Sequence, residues 1–104
     1  MLVKIYVNES DYDYTNTDIP LPKVLTEKQY EEMINSMVAE TMKPQNLEKD
    51  DNFDDWLGID NQLIDIFFMG QEDKNRILNE YEERVRQRAY EELEDYYDEY
   101  EIEI

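Results

Sequence analysis

Cysteine and histidine are both missing from this 104-residue chain, and glycine and proline are down to two and three residues. Without cysteine there is no disulfide framework and no thiolate nucleophile, a composition that suits a reducing cytoplasm. Without histidine the commonest general base and the commonest metal ligand are lost together. No glycine-rich phosphate loop and no strand–nucleophile–helix motif can be traced. Positive charge is short as well: 10 Lys and Arg stand against 28 Asp and Glu, a net charge of −18. A surface of that sign repels nucleic acid and anionic membrane alike, so neither is expected as a direct partner. The longest apolar run, Ile66–Met69, is too short to span a bilayer. Met1–Val7, a short alternating segment followed by acids, does not read as a secretory signal.

What remains is acidic and aromatic. Apolar residues make up 40% of the chain and charged residues 37%, a balance that often marks disorder. Nine Tyr, three Phe and one Trp supply core material instead, and the length suits one modest domain. The expected fold class is α+β: a small, mostly helical single domain with an N-terminal strand and a long acidic C-terminal helix.

The pattern along the chain gives the elements. Leu2–Val7, β-branched and aromatic, reads as a strand. A polar loop with Asp11, Asp13 and Asp18 follows. Thr26 with Gln29 forms a capping-box signal, and Tyr30, Met33, Ile34, Met37, Val38 and Met42 keep the helical period, predicting a helix over about 27–42 that Pro44 stops. A linker over 43–52 leads to short helical segments at about 53–57 and 61–69. A long helix is predicted over about 72–100, with Ile77, Leu78, Tyr81, Val85, Ala89, Leu93, Tyr96, Tyr97 and Tyr100 on its apolar stripe. Glu80 with Arg84 and Glu82 with Arg86 stand in the favourable i,i+4 order. The end, Tyr100–Ile104, alternates like a strand, which leaves open an early helix stop with Ile102 and Ile104 pairing with Leu2–Val7.

Charge divides along that helix. Five of the ten bases are Lys74, Arg76, Arg84, Arg86 and Arg88, and none follows. From Ala89 to Ile104 there are eight carboxylates, interleaved with Tyr90, Tyr96, Tyr97 and Tyr100. On a helix Glu91, Glu94, Asp95, Asp98 and Glu99 fall on neighbouring i,i+3 and i,i+4 rows, with Glu92 near the border. Fourteen helical residues rise about 21 Å, the length of about six base pairs of duplex. The bland alternative is a solvated helix face. Tyr96 and Tyr100 continue the core stripe, while Tyr90 and Tyr97 lie further from its centre and are the better candidates for a partner contact. Asp50, Asp51, Asp54 and Asp55 form a second acidic patch. As an EF-hand it fails, because starting at Asp50 the sixth position is Asp55 and the twelfth is Asn61. No metal or cofactor is expected. Pairs of acids occur at every spacing, so none singles out a glycosidase-like site, and an enzyme is not expected in a chain this small without a plausible cleft.

In size, acidity and a helical end reading YEELEDYYDEYE, the chain resembles phage-encoded DNA mimics, the anti-restriction proteins of the Ocr and ArdA kind and some anti-CRISPR proteins. The resemblance covers Glu72–Glu101 and, less closely, Asp50–Asp55. It implies a non-catalytic inhibitor in the bacterial host cytoplasm, occupying the DNA-binding channel of a basic partner, a host defence nuclease such as a CRISPR effector or restriction enzyme. The competing expectation is an acidic adaptor or antitoxin-like regulator that binds a protein partner through an apolar and tyrosine interface.

Overall fold

A computed structural model describes residues 1–57 and 71–104. Among these the order is β1 (Leu2–Asn8), β2 (Val24–Thr26), α1 (Glu27–Thr41), α2 (Pro44–Leu47), α3 (Asp51–Leu57), α4 (Gln71–Tyr96) and β3 (Tyr97–Glu103). The fold is α+β, with helices packed on a three-stranded antiparallel sheet of order β2-β1-β3. The segment predicted at 61–69 lies outside the described residues. No helix among them is long and apolar enough to cross a membrane.

α1 begins where the capping box places it. The Thr26 side chain accepts from the Gln29 backbone N–H while the Gln29 side chain accepts from the Thr26 N–H, satisfying two donors that the first turn leaves unpaired. Tyr30, Met33, Ile34, Met37 and Val38 are buried, and Tyr81, Val85, Ala89 and Leu93 of α4 meet them at four-residue intervals. The 43–52 linker holds a helical turn of its own, because Pro44 stands at the first helical position of α2, where its missing N–H costs nothing.

The long helix ends earlier than its stripe predicts. α4 stops at Tyr96, and Tyr97–Glu103 runs antiparallel to β1, with Tyr97 opposite Asn8 and Glu103 opposite Leu2. Two forces favour the exchange. Acids at a helix C-terminus oppose the negative end of its dipole, and without β3 the apolar β1 would be the open edge of a two-stranded sheet. Tyr97 makes the turn into the sheet: it is buried, and its hydroxyl donates to the Pro22 carbonyl at 2.5 Å. The chain ends close the ladder, with Met1 and Ile104 bonded backbone to backbone in both directions.

Tyrosines join sheet to helices. The rings of Tyr6 and Tyr30 stack at 3.9 Å, and Tyr97 meets Tyr30 edge-on at 6.1 Å. Burial pushes the Tyr97 phenol from 10.0 up to about 12, and burial raises Tyr30 further still. A phenol whose folded value lies above its unfolded one contributes stability below pH 10 that is lost as pH rises through the folded value. Unfolding free energy should therefore fall between about pH 10 and 12. Absorbance at 295 nm should show a late tyrosine phase that coincides with loss of helical circular dichroism.

Candidate functional site

Burying Tyr81, Val85, Ala89 and Leu93 turns the other side of α4 to solvent. Glu80, Glu83, Glu91, Glu94 and Asp95 are exposed there, with Arg84 and Gln87 among them. Of the acids expected to form one helical row, Glu91, Glu94 and Asp95 do share this face. Asp98 and Glu99 do not continue it: they lie on β3, where consecutive side chains point to opposite faces of the sheet. Glu99 accepts from the Tyr6 hydroxyl at 3.4 Å and pairs with Lys4 at 3.0 Å. Asp98 sits beside Glu9. A hydrogen bond with Glu9, and then the Glu9 charge, push the Asp98 carboxyl up from its ordinary value, while hydrogen bonds from Tyr100 first and Asp98 second pull Glu9 down from its own. The Tyr100 hydroxyl donates to Glu9 at 2.7 Å.

The two tyrosines expected as partner contacts are already engaged. Tyr97 is core. Tyr90 is half-buried, and its hydroxyl donates to Glu31 of α1 at 2.6 Å. Glu92 is half-buried as well, accepting from the Asn16 backbone N–H at 2.7 Å and so fixing the loop before β2 to α4. That loop folds back through Asp18, whose φ of 62° lies in the left-handed region that Asp tolerates better than most residues.

The second patch divides. Asp51 and Asp55 of α3 are exposed, and Asp54 shares that helix, its side chain outside the described ones. Asp50 has turned inward. It accepts from the Tyr81 hydroxyl at 2.6 Å and from the Asn52 N–H at 3.0 Å, with Arg88 3.9 Å away. Arg88 also donates to the Tyr81 oxygen at 2.9 Å. Burial first, then the bond to Asp50, pushes the Tyr81 phenol up to about 12. Asp50 is thus a structural acceptor holding the segment before α3 against α4. The arginines have similar work: Arg84 lies over the Trp56 ring at 5.7 Å, and Arg86 donates to Asn35 at 2.7 Å.

Sequence reasoning missed three things. One is an open cleft of about 580 Å³ between the 16–18 loop, α1, the 46–52 segment and α4, which corrects the expectation that the chain has no plausible cleft. Its Asp50 and Glu92 hold the contacts just described, and its Glu40 pairs with Lys43 at 2.8 Å. Among the described residues no group of three or more Asp or Glu is placed to hold a metal ion. The second is the acidic company α4 keeps. Glu31 of α1 accepts from the Tyr90 hydroxyl and, after burial, adds to the upward push on Tyr30, so an acid from another helix borders α4. The third is the sheet's outer face, where Val3, Ile5 and Val7 are only half-buried and Val24, Tyr100 and Ile102 are exposed. Its signal was legible: β1 is apolar on both faces.

No protein family, curated protein or solved structure matches the chain. Roles within the acidic end therefore rest on geometry, and stability separates structural acids from free ones. Tyr81→Phe should cost about 1.5–3 kcal/mol by removing a hydrogen bond to a charged group. Glu91→Gln should be neutral or slightly stabilising, since it relieves like-charge repulsion. Urea denaturation of the two variants checks both expectations.

Proposed function

We propose that the protein is a non-catalytic inhibitor that presents carboxylates to the DNA-binding channel of a basic partner. The observation that carries this reading is the distribution of charge around α4 and β3. Bases stop at Arg88, while acids continue over the last turns of the helix and the whole of the strand. From Glu80 to Asp95 the solvent face of α4 rises about 22 Å. Beyond it, alternate acids of a strand stand about 6.6 Å apart, close to two steps of one DNA strand at about 3.4 Å each. The mimic is therefore built from two elements: a helix face carrying Glu80, Glu83, Glu91, Glu94 and Asp95, and a strand carrying Asp98, Glu99, Glu101 and Glu103.

A channel built for phosphates would exchange its counterions for these carboxylates, as it does for DNA. The partner class this suits best is a nuclease of a host defence system, with the chain acting in the bacterial cytoplasm as a phage product. The second reading, an adaptor or antitoxin-like regulator, draws on the exposed apolar face of the sheet around Tyr100 and Ile102.

Competition against duplex DNA for a CRISPR effector or restriction enzyme tests the first reading. Replacing Glu80, Glu83, Glu91, Glu94 and Asp95 together by Gln should weaken inhibition by about two orders of magnitude or more, counting about 0.5–1 kcal/mol for each lost charge contact. Affinity of the unaltered protein should fall steeply as salt rises. Undiminished affinity in the five-fold variant, with a flat salt dependence, overturns the mimic and leaves the apolar reading.

A further inference from the structure

The two edges of the sheet are not alike. β2 has three residues and runs straight into α1, and the backbone N–H of Thr26 is already taken by Gln29. β3 is seven residues long, and among the described residues nothing pairs with its outer side.

Which backbone groups point outward follows from the ladder. Met1 and Ile104 exchange both hydrogen bonds, and in an antiparallel pair such residues alternate with pairs that exchange none. In the observed register Ile102, Tyr100 and Asp98 therefore bond to Val3, Ile5 and Val7. The even-numbered residues of β1 turn the other way, as the bond from the Asn8 N–H to the Lys23 carbonyl shows. The N–H and C=O groups left facing outward on β3 are those of Glu99, Glu101 and Glu103.

Side chains alternate in the same register. Glu99, Glu101 and Glu103 share the face of Tyr6, which packs on α1, and Tyr100 and Ile102 share the open face of Val3 and Ile5. A strand added here meets carboxylates on one face and apolar side chains on the other, at every second residue. β1 already displays the matching chemistry from the inner side, where Lys4 reaches Glu99 at 3.0 Å.

We propose that the outer edge of β3 binds an extended segment of a partner protein in which basic and apolar residues alternate. Lysine or arginine lies beside Glu99, Glu101 and Glu103, and valine, isoleucine or an aromatic residue beside Tyr100 and Ile102. Main-chain bonds to the three glutamates hold the segment, and the alternation selects it. A second copy of the chain is a poor occupant, because every register of β3 on β3 that keeps the faces matched sets glutamate beside glutamate. The proposal does not rest on the mimicry of DNA: Glu99, Glu101 and Glu103 are shared with that reading, but what holds the segment is the main-chain edge of β3, and the five acids whose replacement tests the mimicry lie on α4.

The probe is a blocked heptapeptide of alternating lysine and valine, compared with its permutation of four lysines followed by three valines. Amide hydrogen exchange of the full chain is the readout. The alternating peptide should slow exchange at Glu99, Glu101 and Glu103 by at least about tenfold and leave the already bonded Tyr100 and Ile102 unchanged. It should also bind at least about tenfold tighter than the permuted peptide. Glu101→Pro removes one outward N–H without touching the ladder to β1, and it should weaken binding well beyond Glu101→Gln, with circular dichroism checking the fold of both. Equal affinity for the two peptides without protection at the three glutamates overturns the proposal in favour of bulk charge attraction. Protection of the same amides without peptide, together with a dimer in sedimentation, overturns it in favour of a second copy. Either result leaves the competition with DNA through α4 standing, and failure of that competition leaves this edge untouched.

Discussion

Tyr30 sits where the sheet meets both long helices, and a chain this poor in aliphatic residues depends on that junction. Tyr6 stacks on it from β1, Tyr97 meets it edge-on from β3, and Tyr90 approaches at 6.4 Å from α4. Tyrosine brings a large buried area, but each phenol that packs also carries a hydroxyl that needs a partner. The solution recurs: Tyr97 donates to a carbonyl, while Tyr6, Tyr81, Tyr90 and Tyr100 donate to Glu99, Asp50, Glu31 and Glu9. Part of the acidity thus serves as acceptor for tyrosine hydroxyls, from buried Tyr81 to exposed Tyr100. Interleaved Tyr and Glu do not by themselves mark an interface.

That division of labour bears on the net charge of −18. A phenol–carboxylate bond leaves the charge in place, so the structural acids still contribute to the field around the molecule, and repulsion among them opposes compaction. Bases offset it mainly in the middle of α4, where Arg84, Arg86 and Arg88 reach Trp56, Asn35 and Tyr81. Beyond Arg88 the offset is confined to what other elements bring, such as Lys4 on Glu99. Acids therefore outnumber bases where α4 gives way to β3. Surplus negative charge held there is consistent with a role in binding, since burial alone does not require it.

Much of the fold was legible from local pattern. The capping box at Thr26, the periodicity of Tyr30 to Val38 and the strand at Leu2–Val7 are short-range signals, and the structure places all three as expected. The end of α4 was not legible to the same degree. Tyr96, Tyr97 and Tyr100 fit a helical stripe, while Tyr97, Glu99 and Glu101 fit a strand. The choice depends on β1, at the far end of the chain. The candidate site suffered from the same limit. Sequence spacing placed Glu91, Glu94 and Asp95 on one face correctly, but the inward turn of Asp50 and the engagement of Glu92 and Tyr90 depend on tertiary partners that spacing cannot reveal.

The helix-to-strand switch at Tyr97 also changes what the acidic end can recognise. A helix satisfies its own backbone, so carboxylates on α4 offer charge and shape alone, which attracts many basic surfaces at long range and selects weakly among them. A strand at a sheet edge offers main-chain donors and acceptors in fixed register. Its carboxylates are tied to that register, because the outward-facing amides belong to the glutamates themselves. On the two proposals, the same run of acids would supply two kinds of recognition, diffuse on α4 and directional on β3. Tyr97, by leaving the helix stripe for the Pro22 carbonyl, sets the boundary between them.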